Sequence, residues 1–166
     1  MPVTVAVNMR TVVHKGSAGT SIAFPDVCLT PAPPAPPIPI PYPNIAMSSD
    51  SDKTAKKVTC DGNPVCVESS TFSKSSGDEA GVNKGVASGM NMSKAEFILY
   101  SFDVKVEGKG VPRAMDLMLH NSKNTPPFPV IQAPLPGMPL DFSDEDEDNS
   151  LVKAETVKDE DEKEEE

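Results

Sequence analysis

Residues 24–50 read "FPDVCLTPAPPAPPIPIPYPNIAMSSD" and contain nine prolines and one cysteine. In the second half of this stretch Ile38, Ile40 and Tyr42 alternate with prolines. Proline holds φ at about −65° and has no N–H donor, so this segment must be extended and cannot pair as a central strand. The stretch therefore predicts an extended segment that wraps a surface or forms a protected edge of a sheet.

Short β-prone runs lie on both sides of this segment. Before it, "VTVAV", "TVVH" and "TSIAF" predict two or three strands. After it, "KKVTC" and "VCV" flank the turn signal "DGNP", which predicts a hairpin over residues 56–67. The strongest strand pattern in the chain is "AEFILYSFDVKVEG", residues 95–108. Together these runs predict one mainly β domain built of short strands and hairpins.

An internal repeat supports two equivalent hairpins. At a constant offset of 46 residues, five positions of the first unit match five of the second: Val58, Cys60, Asp61, Gly62 and Val65 against Val104, Val106, Glu107, Gly108 and Val111. Each glycine can adopt the positive φ that a tight turn requires, and the alternating β-branched residues turn one face of each strand inward.

The charge of the chain is concentrated at its C-terminal end. Residues 143–166 contain 13 acidic and 3 basic residues, which leaves 12 of each sign in the rest of the chain. A neutral body with scattered lysines has no clustered basic face, so nucleic-acid binding is not expected. Three cysteines without a CxxC pair, and no charged and apolar leader, predict a protein without disulfides that is made in the cytoplasm without a signal peptide.

Three blocks of the sequence resemble the PAAR-like domain family, relatives of the PAAR proteins that tip the spike of type VI secretion systems and related contractile injection systems. The blocks are "AFPDVCLTPAPPAPPIPIPYPNIAMSSD", "KKVTCDGNPVCVESSTFSKSSGDEAG" and "YSFDVKVEGKGVPRAMDLMLHN", which together span about residues 5–125. The resemblance implies a cone-shaped β domain that caps and sharpens the trimeric valine-glycine-repeat (VgrG-type) spike, one copy per trimer. It also implies export with the spike, transient contact with the target membrane on firing, and no enzymatic activity.

The expected organisation has three parts. Residues 1–125 form the PAAR-like domain, residues 126–142 a Pro-rich extension that is either a spacer or a packed strand, and residues 143–166 a disordered acidic tail. In the main interpretation the chain is a stand-alone spike tip. In the alternative it is an adaptor that recruits an effector or a chaperone to the spike through the tail, and a small metalloenzyme is a third possibility.

The resemblance also implies a structural zinc site near the apex of the cone. PAAR proteins bind zinc through histidines and a cysteine, and the candidates in the matched blocks are His14, Cys28 and His120. A fourth ligand could be supplied by Asp103, Asp116 or Cys66. Because a set of three histidines and one cysteine cannot be built from two histidines, either the fourth ligand is of another type or the apex holds no metal.

Other reactive residues have structural interpretations. Cys60 and Cys66 lie at inward positions of the predicted hairpin and are expected to fill the core. Asp78 and Glu79 are adjacent, so on an extended backbone their carboxylates point to opposite sides and do not form an acid and base pair. We expect Asp78 to accept backbone N–H bonds in a turn.

Overall fold

The computed structural model describes residues 3–134. It is mainly β, as predicted. Residues 135–142 of the predicted extension and the predicted acidic tail, 143–166, lie outside the described residues. The strands are β1 Ala6–Val7, β2 Arg10–Thr11, β3 Thr20–Ala32, β4 Ala35–Met47, β5 Ser51–Asp52, β6 Thr59–Cys60, β7 Asn63–Pro64, β8 Thr71–Phe72, β9 Ala95–Phe97, β10 Lys105–Val106, β11 Lys109–Gly110, β12 Leu117–Leu119 and β13 Phe128–Ile131.

Seven of these strands form one antiparallel sheet in the order β4-β3-β13-β12-β9-β8-β5. The proline-rich stretch supplies most of the long β3–β4 hairpin, whose strands have 13 residues each. β4 lies at the edge of the sheet, which is where strand prolines are tolerated because an outer N–H needs no partner there. The register shifts between Ala23 and Asp26, where Pro25 interrupts the ladder.

Two segments differ from their simplest prediction. β13 lies in the predicted Pro-rich extension and pairs with both β3 and β12, so the part of the extension up to Ile131 belongs to the sheet. The strand expected over residues 95–108 is interrupted: β9 ends at Phe97 and β10 begins at Lys105. Between them the chain leaves the sheet for a separate hairpin, and Phe102 is 84% exposed, so its apolar side chain marks a surface and not a buried strand face.

The remaining strands form three short hairpins with the same geometry. β6–β7 and β10–β11 have the same register at the predicted offset of 46 residues, which confirms the equivalence of the two repeat units. β1–β2 has this register too, at an offset of 53 residues from Val7 to Cys60. All three turns place two residues at positive φ, at Asn8–Met9, Asp61–Gly62 and Glu107–Gly108. The fold thus contains a third repeat unit that the sequence pattern did not reveal.

The three units, residues 5–15, 58–68 and 104–114, are joined in a ring that we call the hairpin triad. Backbone N–H groups link each unit to the next: Cys66 donates to Val13 O at 2.9 Å, and Val13 donates to Pro112 O at 3.1 Å. The third equivalent donor would be Pro112, which has no N–H. That side of the ring is linked by Glu68 N and Gly110 O at 2.8 Å. One chain therefore builds an approximate threefold arrangement.

Two apolar clusters hold the fold together. The sheet cluster includes Phe72 and Phe97, whose rings meet edge to face with centroids 5.4 Å apart. The triad cluster contains the equivalent valines Val12, Val65 and Val111, against which Val7, Cys60 and Val106 pack. Of the residues that the structure describes, none belongs to a helix long and apolar enough to cross a membrane.

Candidate functional site

The hairpin triad carries a repeated polar contact. In each unit the first turn residue bonds to the position just before the neighbouring unit. Asn8 Nδ2 donates to Asp103 at 3.0 Å; Thr4 N donates to Asp61 at 3.0 Å; Lys57 N donates to Glu107 at 2.6 Å. Hydrogen bonds from Thr4 lower the pKa of Asp61, and those from Ser101 and Asn8 lower the pKa of Asp103. The turns are thus fastened to one another around the ring.

Apolar side chains on the triad are exposed in a threefold pattern. Val5, Val58 and Val104 occupy equivalent positions and are 36, 37 and 37% exposed. Met9 lies at the first turn and is 92% exposed. Each unit thus exposes an apolar side chain at the same position, and this exposure repeats with the approximate threefold symmetry of the hairpin triad.

His14, the first of the predicted zinc ligands, lies within the triad. Its Nδ1 accepts a hydrogen bond from Gly16 N at 3.2 Å, and its Nε2 lies 3.2 Å from Asp61 Oδ2. Since Nδ1 accepts, the ring proton is on Nε2 and is donated to the carboxylate. Both ring nitrogens therefore have protein partners.

His120 lies in a different place, against β3. It is fully buried, with Nε2 at 2.9 Å from Ser21 Oγ and Nδ1 at 3.2 Å from Ser75 Oγ. Desolvation lowers the pKa of His120 to about 4 because the charged ring would lose its hydration there. His120 is therefore a neutral, hydrogen-bonded histidine at pH 7.

Cys28 lies among carboxylates and not among histidines. Its Sγ is 3.6 Å from Asp26 Oδ1 and 3.7 Å from Asp78 Oδ2, and all three residues are fully buried. We call Asp26, Cys28 and Asp78 the Cys28 cluster; their potential ligand atoms all lie within 4.8 Å of one another, so the group could hold a metal ion. In residues 3–134 no basic side chain forms an ion pair with either carboxylate.

Amide groups surround the Cys28 cluster. Asn44 and Asn124 donate to Asp26, and Asn121 donates to Asp78 Oδ2 at 3.1 Å. Burial raises the pKa of Asp26 in spite of these bonds, and desolvation together with the two carboxylates raises the pKa of Cys28 to about 12. In the absence of a cation, Cys28 is therefore a thiol at neutral pH.

The structure thus does not bring His14, Cys28 and His120 into one group, and their joint role as zinc ligands stays a prediction. The three proposed fourth ligands also have other partners. Asp116 pairs with Arg113 and Arg10, Asp103 with Asn8 and Ser101, and Cys66 with Ser51. The group that could hold a metal shares only Cys28 with the predicted set.

Sequence reasoning missed Asp26 and assigned Asp78 to a turn. Asp78 does begin a turn, in which Gly81 N donates to Asp78 O at 2.9 Å, but its Oδ2 accepts from Met92 N at 2.9 Å, 14 residues along the chain and not within the turn. The available signal for Asp26 was its spacing from Cys28: residues two apart in a strand point to the same face, and both lie in β3. The contact with Asp78 had no such signal, since 50 residues separate it from Cys28.

The geometry is that of a mainly β module in which one chain repeats a hairpin three times and buries a cysteine beside two carboxylates. Residues 19–127 match the Toxin PAAR-like domain family, and the chain belongs to that family. The resemblance to PAAR-like domains is therefore confirmed. Over 128 residues the chain is 38% identical to the DNase toxin Tse7 of Pseudomonas aeruginosa, in an alignment that covers 70% of this chain and 33% of the relative. No solved structure matches the chain.

The relative corrects one expectation. The chain was predicted not to be an enzyme, and this is contradicted by its similarity to a protein named as a DNase toxin. The chain spans about one third of the length of that curated relative. The comparisons thus associate this PAAR-like chain with toxins, and not with spike capping alone.

Proposed function

We propose that this chain attaches a toxin effector to the end of the trimeric VgrG-type spike of a type VI secretion system. The observation that carries the proposal is the hairpin triad, in which three equivalent units of one chain surround an approximate threefold axis. Membership in the Toxin PAAR-like family supports the same function. The effector or its chaperone is the second partner, and the chain leaves the cell together with the spike.

The triad supports a stoichiometry of one chain per trimer. A single chain can meet three identical spike chains in equivalent ways only if it repeats its own contact surface three times. Val5, Val58 and Val104 provide that repetition, with nearly equal exposure. The apolar contacts would lie near the axis, and the turn residues Asp61 and Glu107 would lie with other polar groups at the rim, as in ordinary interfaces.

Titration of the full chain against a purified trimeric spike tests this function. Native mass spectrometry is expected to show one chain per trimer. Val58→Glu places a charge in the apolar face and should weaken binding at least tenfold. The matched control is Val86→Glu, which changes another exposed valine outside the triad. Three chains per trimer, or equal loss of binding in a folded Val58→Glu protein and a folded Val86→Glu protein, would contradict the proposal.

The effector side of the proposal is supported by the toxin relative and by the charge of residues 143–166, whose 13 acidic residues would attract a basic partner. Deleting residues 143–166 should leave spike binding unchanged and remove effector or chaperone binding. Pull-down of the effector on spike-bound chain, at low and at high salt, measures this. Retention of the effector after the deletion would show that it is held elsewhere.

DNA cleavage is a second candidate function, and the name of the relative favours it. Incubating the purified full chain with supercoiled plasmid and magnesium tests it directly. Nicking that elutes with the chain during gel filtration would assign the activity to this protein. Intact plasmid at a large excess of chain would leave the attachment function as the one that the observations support.

A further inference from the structure

A conflict of charge in the Cys28 cluster suggests a ligand. Two carboxylates lie within 3.7 Å of one sulfur, yet the single proton of a thiol can be donated to one of them only. Buried carboxylates ordinarily have a cationic partner or a metal ion, and within residues 3–134 neither Asp26 nor Asp78 forms an ion pair. Hydrogen bonds from amides alone leave this negative charge uncompensated.

Unpartnered oxygens beside the cluster point the same way. Asn44 is fully buried and its amide nitrogen donates to Asp26, but its Oδ1 has no hydrogen-bond partner. Asp78 is also fully buried, and its Oδ1 has none either. A buried acceptor without a partner costs about 1–3 kcal/mol. A cation held by Asp26, Cys28 and Asp78 would compensate the charge, and the carboxylate of Asp78 has an oxygen free to share in binding it.

The spacing of the ligand atoms suits zinc. Sulfur and oxygen ligands at about 2.3 and 2.0 Å from a tetrahedral zinc ion lie about 3.5 Å from each other. The two distances from Cys28 Sγ to carboxylate oxygens are 3.6 and 3.7 Å. Thiolate together with carboxylate oxygen is a donor set that zinc accepts, whereas magnesium and calcium take oxygen ligands alone.

We propose that Asp26, Cys28 and Asp78 bind one zinc-class divalent cation inside the folded domain. The cation replaces the thiol proton of Cys28, which is released to solvent on binding. Because the three residues are fully buried, the ion enters while the chain folds. This site differs from the histidine-containing set that the sequence suggested, and it does not depend on spike binding.

Cobalt substitution of the full chain tests the site. The protein is unfolded with a chelator, refolded with cobalt or zinc, and freed of excess metal by gel filtration. We expect one metal per chain and the charge-transfer absorption of a cobalt–thiolate bond. Cys28→Ser should lose that absorption and bind metal at least tenfold more weakly. Cys66→Ser, which changes another buried cysteine whose Sγ bonds to the hydroxyl of Ser51, should keep both properties.

Asp78→Asn keeps the shape and the acceptor of the side chain, so it tests the site even if Cys28→Ser does not fold. It should leave the metal-free thermal midpoint unchanged or higher, because one uncompensated charge is removed, and it should shrink the rise in midpoint that zinc produces. If the difference in thermal midpoint between wild type and Asp78→Asn were the same with and without zinc, the proposal would be overturned. It would also be overturned by wild-type chain that refolds without binding metal, or by loss of metal from folded His14→Ala or His120→Ala protein.

Discussion

The hairpin triad and the Cys28 cluster stabilise the two parts of this molecule in opposite ways. The triad repeats the same packing of apolar side chains in each of its three units, and its charged residues at and beside the turns remain in contact with water. The Cys28 cluster has no second copy in the part of the chain that the structure describes, and it buries two carboxylates among amides. The contacts of the triad therefore recur from unit to unit, while those of the cluster are made at one place. The hairpin triad therefore gives the molecule an approximately threefold shape, and the Cys28 cluster gives it a buried group of one thiol and two carboxylates.

The largest effect is expected at Gly77, beside the Cys28 cluster. Gly77 has a φ of +138°, and a methyl group there would overlap the carbonyl oxygen of Pro43 in β4. Gly77→Ala should lower the free energy of unfolding by about 4 kcal/mol, since backbone strain and steric overlap add. Urea unfolding measures the change. A loss below about 1 kcal/mol would show that this part of the sheet edge is looser than the structure indicates.

The next effect is a pH dependence that originates at His120. Its pKa is lowered from 6.5 to about 4 in the folded chain, so the unfolded chain binds the proton more tightly. The stability that the neutral ring provides is complete above about pH 6.5 and is lost as the pH falls towards 4. Between pH 7.5 and pH 4 the loss should reach about 3 kcal/mol.

Comparison with a His120→Gln protein isolates this contribution, because carboxylates also titrate over the same range. The difference in unfolding free energy between wild type and variant should shrink as the pH falls. Parallel curves for the two proteins would contradict the assignment of the pH dependence to His120.

A smaller effect tests the equivalence of the triad units. Val12, Val65 and Val111 are each 1–2% exposed and pack together in the triad cluster. Each Val→Ala change should cost about 2 kcal/mol from the lost methyl groups and the cavity that remains. The three losses should agree within about 1 kcal/mol in urea unfolding. Val130→Ala is the matched control, because Val130 lies in the sheet cluster and not in the triad. It should lower the free energy of unfolding by a similar amount and leave the number of chains bound per spike trimer unchanged.

The sequence predicted those features that depend on local chemistry. Gly62 and Gly108 occupy turn positions with positive φ, which glycine adopts without strain, so two hairpins were predicted correctly. The first hairpin was not recognised as their equivalent, because Met9 occupies the position of the turn glycine. The pairing of Asp26 with Cys28 could have been inferred from their spacing in β3, but the contact with Asp78 could not, since 50 residues separate it from Cys28. Residues 98–104 were misassigned because apolar side chains there are exposed and do not face the sheet.

The smallest effect comes from the position where the three units differ. Met9 has a φ of +63°, and Gly62 and Gly108 hold the equivalent position at +76° and +78°. A residue with a side chain is strained at such an angle, so Met9→Gly should raise the unfolding free energy by about 1 kcal/mol. Gly62→Ala should lower the unfolding free energy by a similar amount, because alanine is strained at this φ. The loss should be no larger, since the added methyl group meets no heavy atom within 4 Å beyond its chain neighbours.

The two variants also separate folding from spike binding. Met9→Gly removes a 92% exposed side chain, so a more stable protein should bind the spike more weakly if that side chain contacts it. Thermal unfolding and spike titration on the same samples measure both quantities. If Met9→Gly were more stable and kept full affinity for the spike, the methionine would have no role in docking. The apolar contact would then be made by Val5, Val58 and Val104 alone.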